Sequence, residues 1–311
     1  MSFILAILGL VILLFAGNAL VKGAVNLSLR VGIPAFVVSL TVVAFGTSAP
    51  ELLISVDAVL SDVPGIALGN VVGSNTANVL LVLGLPALFY RFDTAEVHVG
   101  KSYLTMMAAT VLFIALAFLT APLGWVTGLI LLAVLGVILA DQFREGMRAR
   151  VRPDEVEGAD KDLGWPRILF FLAVGLIGLP IGARILIVNA TEIAQAAGIS
   201  EAVIGLTLVA LGTSLPELAT TLAAARKNQA DVALGNVLGS NLFNLLAIMG
   251  IAALFGEIPV GPSFLRLDLW VMLASSAVLA PFIFTSLRMG RTVGAGLSLL
   301  YVFYVWWVVV S

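Results

Sequence analysis

Two glutamates stand inside long apolar runs of this sequence: Glu51 in Gly46-Thr-Ser-Ala-Pro-Glu51 and Glu217 in Gly212-Thr-Ser-Leu-Pro-Glu217. Placing an ionised carboxylate near the middle of a bilayer costs roughly 2.5–3.5 kcal/mol on insertion scales, so a cation or a water-filled cavity must offset it. Thr47, Ser48, Thr213 and Ser214 set hydroxyls one turn before each glutamate. Pro50 and Pro216 lack an N–H, so each deprives a carbonyl about four residues earlier of its helical partner. Free backbone oxygens are therefore expected around Ala44 to Gly46 and Ala210 to Gly212. In the following apolar stretches Ser74 and Asn78 lie four apart on one helical face, as do Ser240 and Asn244. Every group in this set offers oxygen, the ligand of hard cations such as Ca²⁺ and Na⁺; transition metals favour imidazole or thiolate.

The two motifs are copies of one another. Residues 44–84 align without a gap on 210–250 at an offset of 166, with 19 identities in 41 positions. Both copies continue into Leu-Gly-Asn-Val-x-Gly-Ser-Asn-x-x-Asn, whose glycines (Gly69, Gly73, Gly235 and Gly239) form G-x-x-x-G pairs that permit close helix approach.

The elements that position these residues must be membrane helices. Of 311 residues, 61% are apolar and only 11% charged, against the roughly 25% charged that a soluble domain uses to cover its surface. Apolar stretches long enough to span a bilayer are expected at 2–22, 35–60, 66–90, 102–120, 122–141, 166–187, 201–226, 232–255, 264–286 and 291–310. The expectation is an all-α membrane protein with ten transmembrane helices in two inverted five-helix repeats. Residues 1–141 form the N-terminal repeat, 142–165 a short cytoplasmic loop and 166–311 the C-terminal repeat. The first stretch has no positive n-region or cleavage site and is read as a retained span. The second and seventh spans are an odd number of helices apart, so the copies cross in opposite directions, as in many secondary transporters. With both termini outside, fourteen of the sixteen basic residues fall on inner loops, leaving Arg184 and Arg266 outside. That places the chain as a multi-pass protein of the plasma membrane, with the lipid bilayer as its partner.

Several function classes are excluded. A net charge of −2 and the lack of a basic patch argue against nucleic acid. With no cysteine, thiolate metal sites and cysteine nucleophiles are ruled out. One histidine, no His-Glu-x-x-His and no paired aspartates within spans argue against an intramembrane protease, so no enzyme and no cofactor is expected. Plainer readings remain for single residues. The prolines could only kink helices, Asn78 and Asn244 could be interhelical hydrogen-bond glue, and Ser74 and Ser240 could be packing residues. Asn75 and Asn241 point away from the Ser/Asn face and read as structural. Asp57 has Ala223 as its counterpart and reads as a vestibule residue. His98 and the acidic run 154–157 with Asp160 and Asp162 read as solvated loop.

The paired Gly-Thr-Ser-x-Pro-Glu and Gly-Ser-Asn-x-x-Asn motifs resemble the α-repeats of the cation/calcium exchanger superfamily, particularly prokaryotic sodium/calcium exchangers. The resemblance covers the whole chain. It implies a secondary antiporter that exchanges several Na⁺ moving inward for one Ca²⁺ moving outward. By that resemblance the ions are held by Ala44, Thr47, Ser48, Glu51, Ser74 and Asn78, and by Ala210, Thr213, Ser214, Glu217, Ser240 and Asn244. The first and sixth spans are its implied sliding elements. Some relatives, including the potassium-dependent branch, carry Asp where this chain has Asn244. With asparagine at both 78 and 244 the site's charge is at most −2. Two carboxylates balance one Ca²⁺, whereas three Na⁺ leave a surplus positive charge, which suits electrogenic exchange without potassium. The proton-coupled branch, whose motif usually reads Gly-Asn-x-x-Glu, is a poorer match. A channel remains the alternative within transport, and a non-transporting calcium-binding membrane protein the alternative from another class.

Overall fold

The structure is a computed structural model that describes residues 1–92, 99–149, 160, 163–196, 210–285 and 287–310. It is built of helices: α1 (Ser2–Val31), α2 (Ala35–Thr47), α3 (Ala49–Leu60), α4 (Pro64–Phe89), α5 (Gly100–Leu119), α6 (Trp125–Ala149) and α7 (Trp165–Ala196). The second half continues with α8 (Ala210–Thr213), α9 (Leu215–Arg226), α10 (Ala230–Phe255), α11 (Phe264–Phe284) and α12 (Arg291–Val310). Eight of these helices are long and apolar enough to cross a membrane, and α2 with α3, bent by 43° at their junction, make a ninth span. The stretch expected at 201–226 is described only from Ala210 onward, so its first half lies outside the described residues, as do His98 and the acidic run 154–157.

Three helices are longer than their apolar cores. The first was expected to end near residue 22, yet α1 runs on through Lys22, Asn26 and Arg30 until Gly32, at φ 74°, supplies a left-handed cap. Likewise α7 extends to Ala196 beyond the apolar run, and α6 reaches Ala149 in what was expected to be loop. Hydropathy marks where lipid ends, not where helical hydrogen bonding ends.

The helices are sorted by burial. Over an 18-residue apolar stretch of each span, buried residues make up 89% in α10 and 78% in α4, but 17% in α12, which exposes Trp306 and Trp307. The centre of the molecule is therefore α4 and α10, the helices that carry the Gly-Ser-Asn-x-x-Asn motifs. They are approached closely by the broken spans. A Cβ added at Gly235 would lie 2.8 Å from the Phe36 carbonyl oxygen, and one at Gly239 2.6 Å from the Ala44 Cβ, so only glycine lets α10 press on α2. At the periphery α1 and α7 pack along most of their length.

Candidate functional site

Both broken spans break at the same place. Ser48 (φ −85°, ψ 7°) and Ser214 (φ −83°, ψ 3°) interrupt the helix, with Pro50 and Pro216 in the first turn of the helices that follow. This geometry sets Glu51 and Glu217 one turn into α3 and α9, each 0% exposed. The free carbonyl expected at Ala44 is not found. Its oxygen accepts the Ser48 N–H at 3.0 Å and lies 3.2 Å from the Thr47 hydroxyl, because the chain stays helical through Thr47. In the second half the Ser214 N–H turns instead to the Leu211 carbonyl at 3.1 Å.

The two halves touch in exchanged pairs. Thr47 Oγ1 lies 3.5 Å from Ser240 Oγ, and its counterpart Thr213 Oγ1 lies 3.5 Å from Ser74 Oγ. Asn78 donates to Asn241 Oδ1 at 3.1 Å, while Asn244 donates to Asn75 Oδ1 at 3.0 Å. Asn75 and Asn241 each donate to the other's backbone carbonyl, at 3.3 and 3.4 Å. These asparagines, read from the sequence as structural, therefore fix which way the amides of Asn78 and Asn244 turn. With the nitrogens occupied, Asn78 and Asn244 present their oxygens elsewhere.

Asn78 opens and Asn244 sits within π-helical segments, Asn78–Leu83 and Phe243–Ile248, and such wide turns recur at functional sites. The first segment packs against α9, which carries Glu217, and the second against α3, which carries Glu51. Each glutamate-bearing helix thus packs against the asparagine-bearing turn of the other half.

The oxygens left over define the site. Both carboxylate oxygens of Glu51, Oε2 of Glu217, Oδ1 of Asn78, Oδ1 of Asn244 and Oγ of Ser214 are buried without a hydrogen-bond partner among the described residues. Glu217 Oε1 accepts from Ser48 at 3.0 Å and from Ser240 at 3.4 Å. Neither glutamate forms an ion pair among the described residues; the pairs there join Lys101 to Asp141 and Glu145. Buried acceptors without donors are costly in a dry interior, and a cation satisfies several at once. These six site atoms are all oxygen, and no cluster of three His, Cys, Asp or Glu side chains exists among the described residues. A site of two carboxylates and neutral oxygens suits an ion that must leave again, since transport requires binding weak enough for release.

All twelve residues expected at the site fall in α2–α4 and α8–α10 around the two breaks. Asp57, by contrast, is exposed. Two residues were missed. Asn70 donates to the Glu51 carbonyl at 3.1 Å and to Ser55 Oγ at 3.0 Å; Asn236 donates to the Glu217 carbonyl at 3.2 Å and to Thr221 Oγ1 at 3.1 Å. The signal was present, since Asn70, Ser74 and Asn78 recur every fourth residue on one face, as do Asn236, Ser240 and Asn244.

Known proteins are similar to this chain over nearly its whole length. The family model described as sodium/calcium exchanger protein matches residues 1–144 and 167–310. The inner membrane protein YrbG of Escherichia coli is 36% identical over 302 residues, covering 94% of this chain and 92% of that protein. The sodium/calcium exchanger MaX1 of Methanosarcina acetivorans is 33% identical over 337 residues, covering 97% of this chain and 96% of its own. Among solved structures the sodium-calcium exchanger NCX_Mj, soaked with Na⁺ and Ca²⁺, superposes with a TM-score of 0.84 at 31% identity, covering 98% of this chain and 97% of that one. Matched over nearly its whole length, the chain belongs to the sodium/calcium exchanger protein family.

Proposed function

We propose that this protein is a secondary active antiporter that exchanges Na⁺ for Ca²⁺ across the membrane by alternating access, without K⁺ and with net movement of charge. The observation that carries the reading is the set of buried, unpartnered oxygens contributed by both halves: Glu51, Asn78, Ser214, Glu217 and Asn244. The twelve residues named from the sequence are proposed to hold the ions. Ala44, Thr47, Ser48, Glu51, Ser74 and Asn78 come from one half, and Ala210, Thr213, Ser214, Glu217, Ser240 and Asn244 from the other.

In this reading the chain has ten spans in two inverted repeats, with both termini outside. Na⁺ and Ca²⁺ compete for overlapping oxygens. Occupied, the two carboxylates are neutralised and the halves can reorient; empty, they resist occlusion in a dry interior. The sliding elements are α1 and α7, which meet through small residues and lie outside the site. A Cβ at Gly178 would stand 2.9 Å from Ala16, and one at Gly182 2.9 Å from the Leu13 nitrogen.

Asparagine at 78 and 244 limits the site to two negative charges, which Ca²⁺ balances and a larger number of Na⁺ exceeds. The sodium/potassium/calcium exchanger 2 of Homo sapiens is 43% identical over 56 residues, but that match covers only 18% of this chain. The test is Ca²⁺ uptake into proteoliposomes driven by an outward Na⁺ gradient, with and without K⁺. Uptake that follows the Na⁺ gradient, ignores K⁺ and disappears in Glu51→Gln and Glu217→Gln is expected. Uptake indifferent to the gradient and retained in both variants would overturn the reading.

A further inference from the structure

The repeated Leu-Gly-Asn of each half is not used by the ion site as described, yet Asn236 is 0% exposed and every polar atom of its side chain is engaged. Its amide nitrogen donates to the Glu217 carbonyl and to Thr221 Oγ1, which fixes the direction of the amide. Its oxygen is thereby turned toward the opposite half, where it meets Thr47 Oγ1 at 3.2 Å. The same hydroxyl lies 3.2 Å from the Ala44 carbonyl oxygen on its own helix. A threonine hydroxyl has one proton, so it donates fully to only one of these two acceptors. The two distances are equal, and Ser240 Oγ stands farther from the hydroxyl at 3.5 Å.

We propose that Asn236 is a positioning residue that accepts the Thr47 hydroxyl hydrogen bond when an ion arrives, releasing the Ala44 carbonyl to the ion. The proposal rests on the exchange reading above. With the proton on the Ala44 carbonyl, that oxygen already carries two donors, since the Ser48 N–H also bonds it at 3.0 Å. When the hydroxyl rotates to Asn236 Oδ1, one lone pair of the Ala44 carbonyl becomes free, and the hydroxyl proton no longer stands between that carbonyl and the ion. A cation selects that rotamer because it gains the carbonyl oxygen beside the hydroxyl oxygen. No bond is broken and no proton leaves its oxygen; only the hydroxyl turns. Because the acceptor sits on α10 and the hydroxyl on α2, the rotation also ties one half to the other when the ion is bound. The counterpart pair, Asn70 Oδ1 and Thr213 Oγ1, stands wider at 3.5 Å.

The experiment is a double-mutant cycle on the full chain in proteoliposomes, reading the half-saturating Ca²⁺ concentration and the maximal rate separately. Thr47→Val is expected to raise the half-saturating concentration about tenfold in the unaltered protein, with a much smaller change in maximal rate. In Asn236→Ala the same substitution is expected to change it by no more than about twofold, because losing the hydroxyl is offset by releasing the carbonyl. Asn236→Asp keeps an oxygen facing Thr47, so there the full effect of Thr47→Val returns. An unchanged tenfold effect of Thr47→Val in Asn236→Ala overturns the proposal. If Asn236→Ala does not fold, a Thr47→Val effect within about twofold in Asn236→Asp overturns it equally. Failure of this cycle in a protein that still exchanges ions sinks the positioning role alone, whereas absence of Na⁺-driven uptake in the unaltered protein sinks the exchange reading.

Discussion

The Ser48 hydroxyl donates to Glu217 Oε1 at 3.0 Å, whereas among the described residues its counterpart Ser214 has a buried hydroxyl oxygen without a partner and Glu51 has neither oxygen bonded. The Thr–Asn, Thr–Ser and Asn–Asn contacts between the halves at the site occur in exchanged pairs, so this is where the pseudo-symmetry of the site fails. Two copies of one sequence motif therefore hold their carboxylates differently. One glutamate is braced by serines from both halves, Ser48 and Ser240, and the other depends wholly on what enters the site.

That asymmetry gives an ordered pair of outcomes. Without added ions, Ser48→Ala removes a donor from a buried carboxylate and is expected to destabilise the protein by about 1.5–3 kcal/mol. Ser214→Ala removes a hydroxyl whose oxygen has no partner and is expected to be close to neutral. Thermal unfolding in detergent with Na⁺ and Ca²⁺ removed measures both. Equal losses, or the reverse order, would contradict the geometry.

A second prediction concerns the amide at 244. Asn75 Oδ1 accepts from Asn244 Nδ2 at 3.0 Å, and Asn75 does not turn freely because its nitrogen holds the Asn241 carbonyl. Asn244→Asp sets oxygen against oxygen and is expected to cost on the order of 1–3 kcal/mol in the ion-free protein. The added charge strengthens binding of a divalent cation, so Ca²⁺ should raise the melting temperature of this variant more than that of the unaltered protein. Melting with and without Ca²⁺ decides; a smaller Ca²⁺ response in Asn244→Asp counts against Asn244 as a ligand.

Much of this site is legible in the sequence because its parts are spaced by helical geometry and duplicated at a fixed offset. Pro50 and Pro216 locate the breaks, and the Ser/Asn spacing of four locates the facing side chains. The Ala44 carbonyl was misjudged because a missing proline N–H exposes the residue four before it, here Gly46, while Ala44 is claimed by Ser48. Asn70 and Asn236 continue the Ser/Asn face by the same spacing of four, but their amides hold backbone carbonyls and hydroxyls, a role that spacing does not reveal. The length of α1 was missed for a different reason: Lys22, Asn26 and Arg30 end the apolar run but not the helix, and Gly32 alone signals the true end.

The α1–α7 contact yields a third prediction. A Cβ at Gly175 would lie 2.5–2.9 Å from the Cβ, Cα and N of Leu20, with backbone atoms that do not yield. Gly175→Ala is expected to destabilise the protein by about 1–3 kcal/mol through overpacking. Gly136 on α6 has nothing within 4 Å, so Gly136→Ala should stabilise by up to about 1 kcal/mol from helix propensity. Melting temperatures of the two variants give the comparison, and a harmless Gly175→Ala would show that these helices are not in backbone contact.

The last prediction concerns pH and lies outside the spans. Lys227, in the turn after α9, donates to the Asn18 carbonyl of α1 at 3.2 Å. Desolvation, then the nearby charges of Arg226 and Lys22, lower its pKa from the usual 10.5. The folded chain therefore releases this proton at a lower pH than the unfolded chain. Below the lowered pKa both states are charged and the folded state carries the full burden of half-burying the ammonium. Between that pKa and 10.5 the unfolded chain binds the extra proton, so stability rises with pH across this window, and above it the gain is complete. Lys227→Met has no such group, and its unfolding curve should lack that rise. Melting temperatures of the two proteins, followed from neutral pH to above 10.5, should therefore differ by an amount that changes steadily in favour of the unaltered chain. Parallel curves across the whole range would mean that Lys227 titrates alike in the folded and unfolded chains.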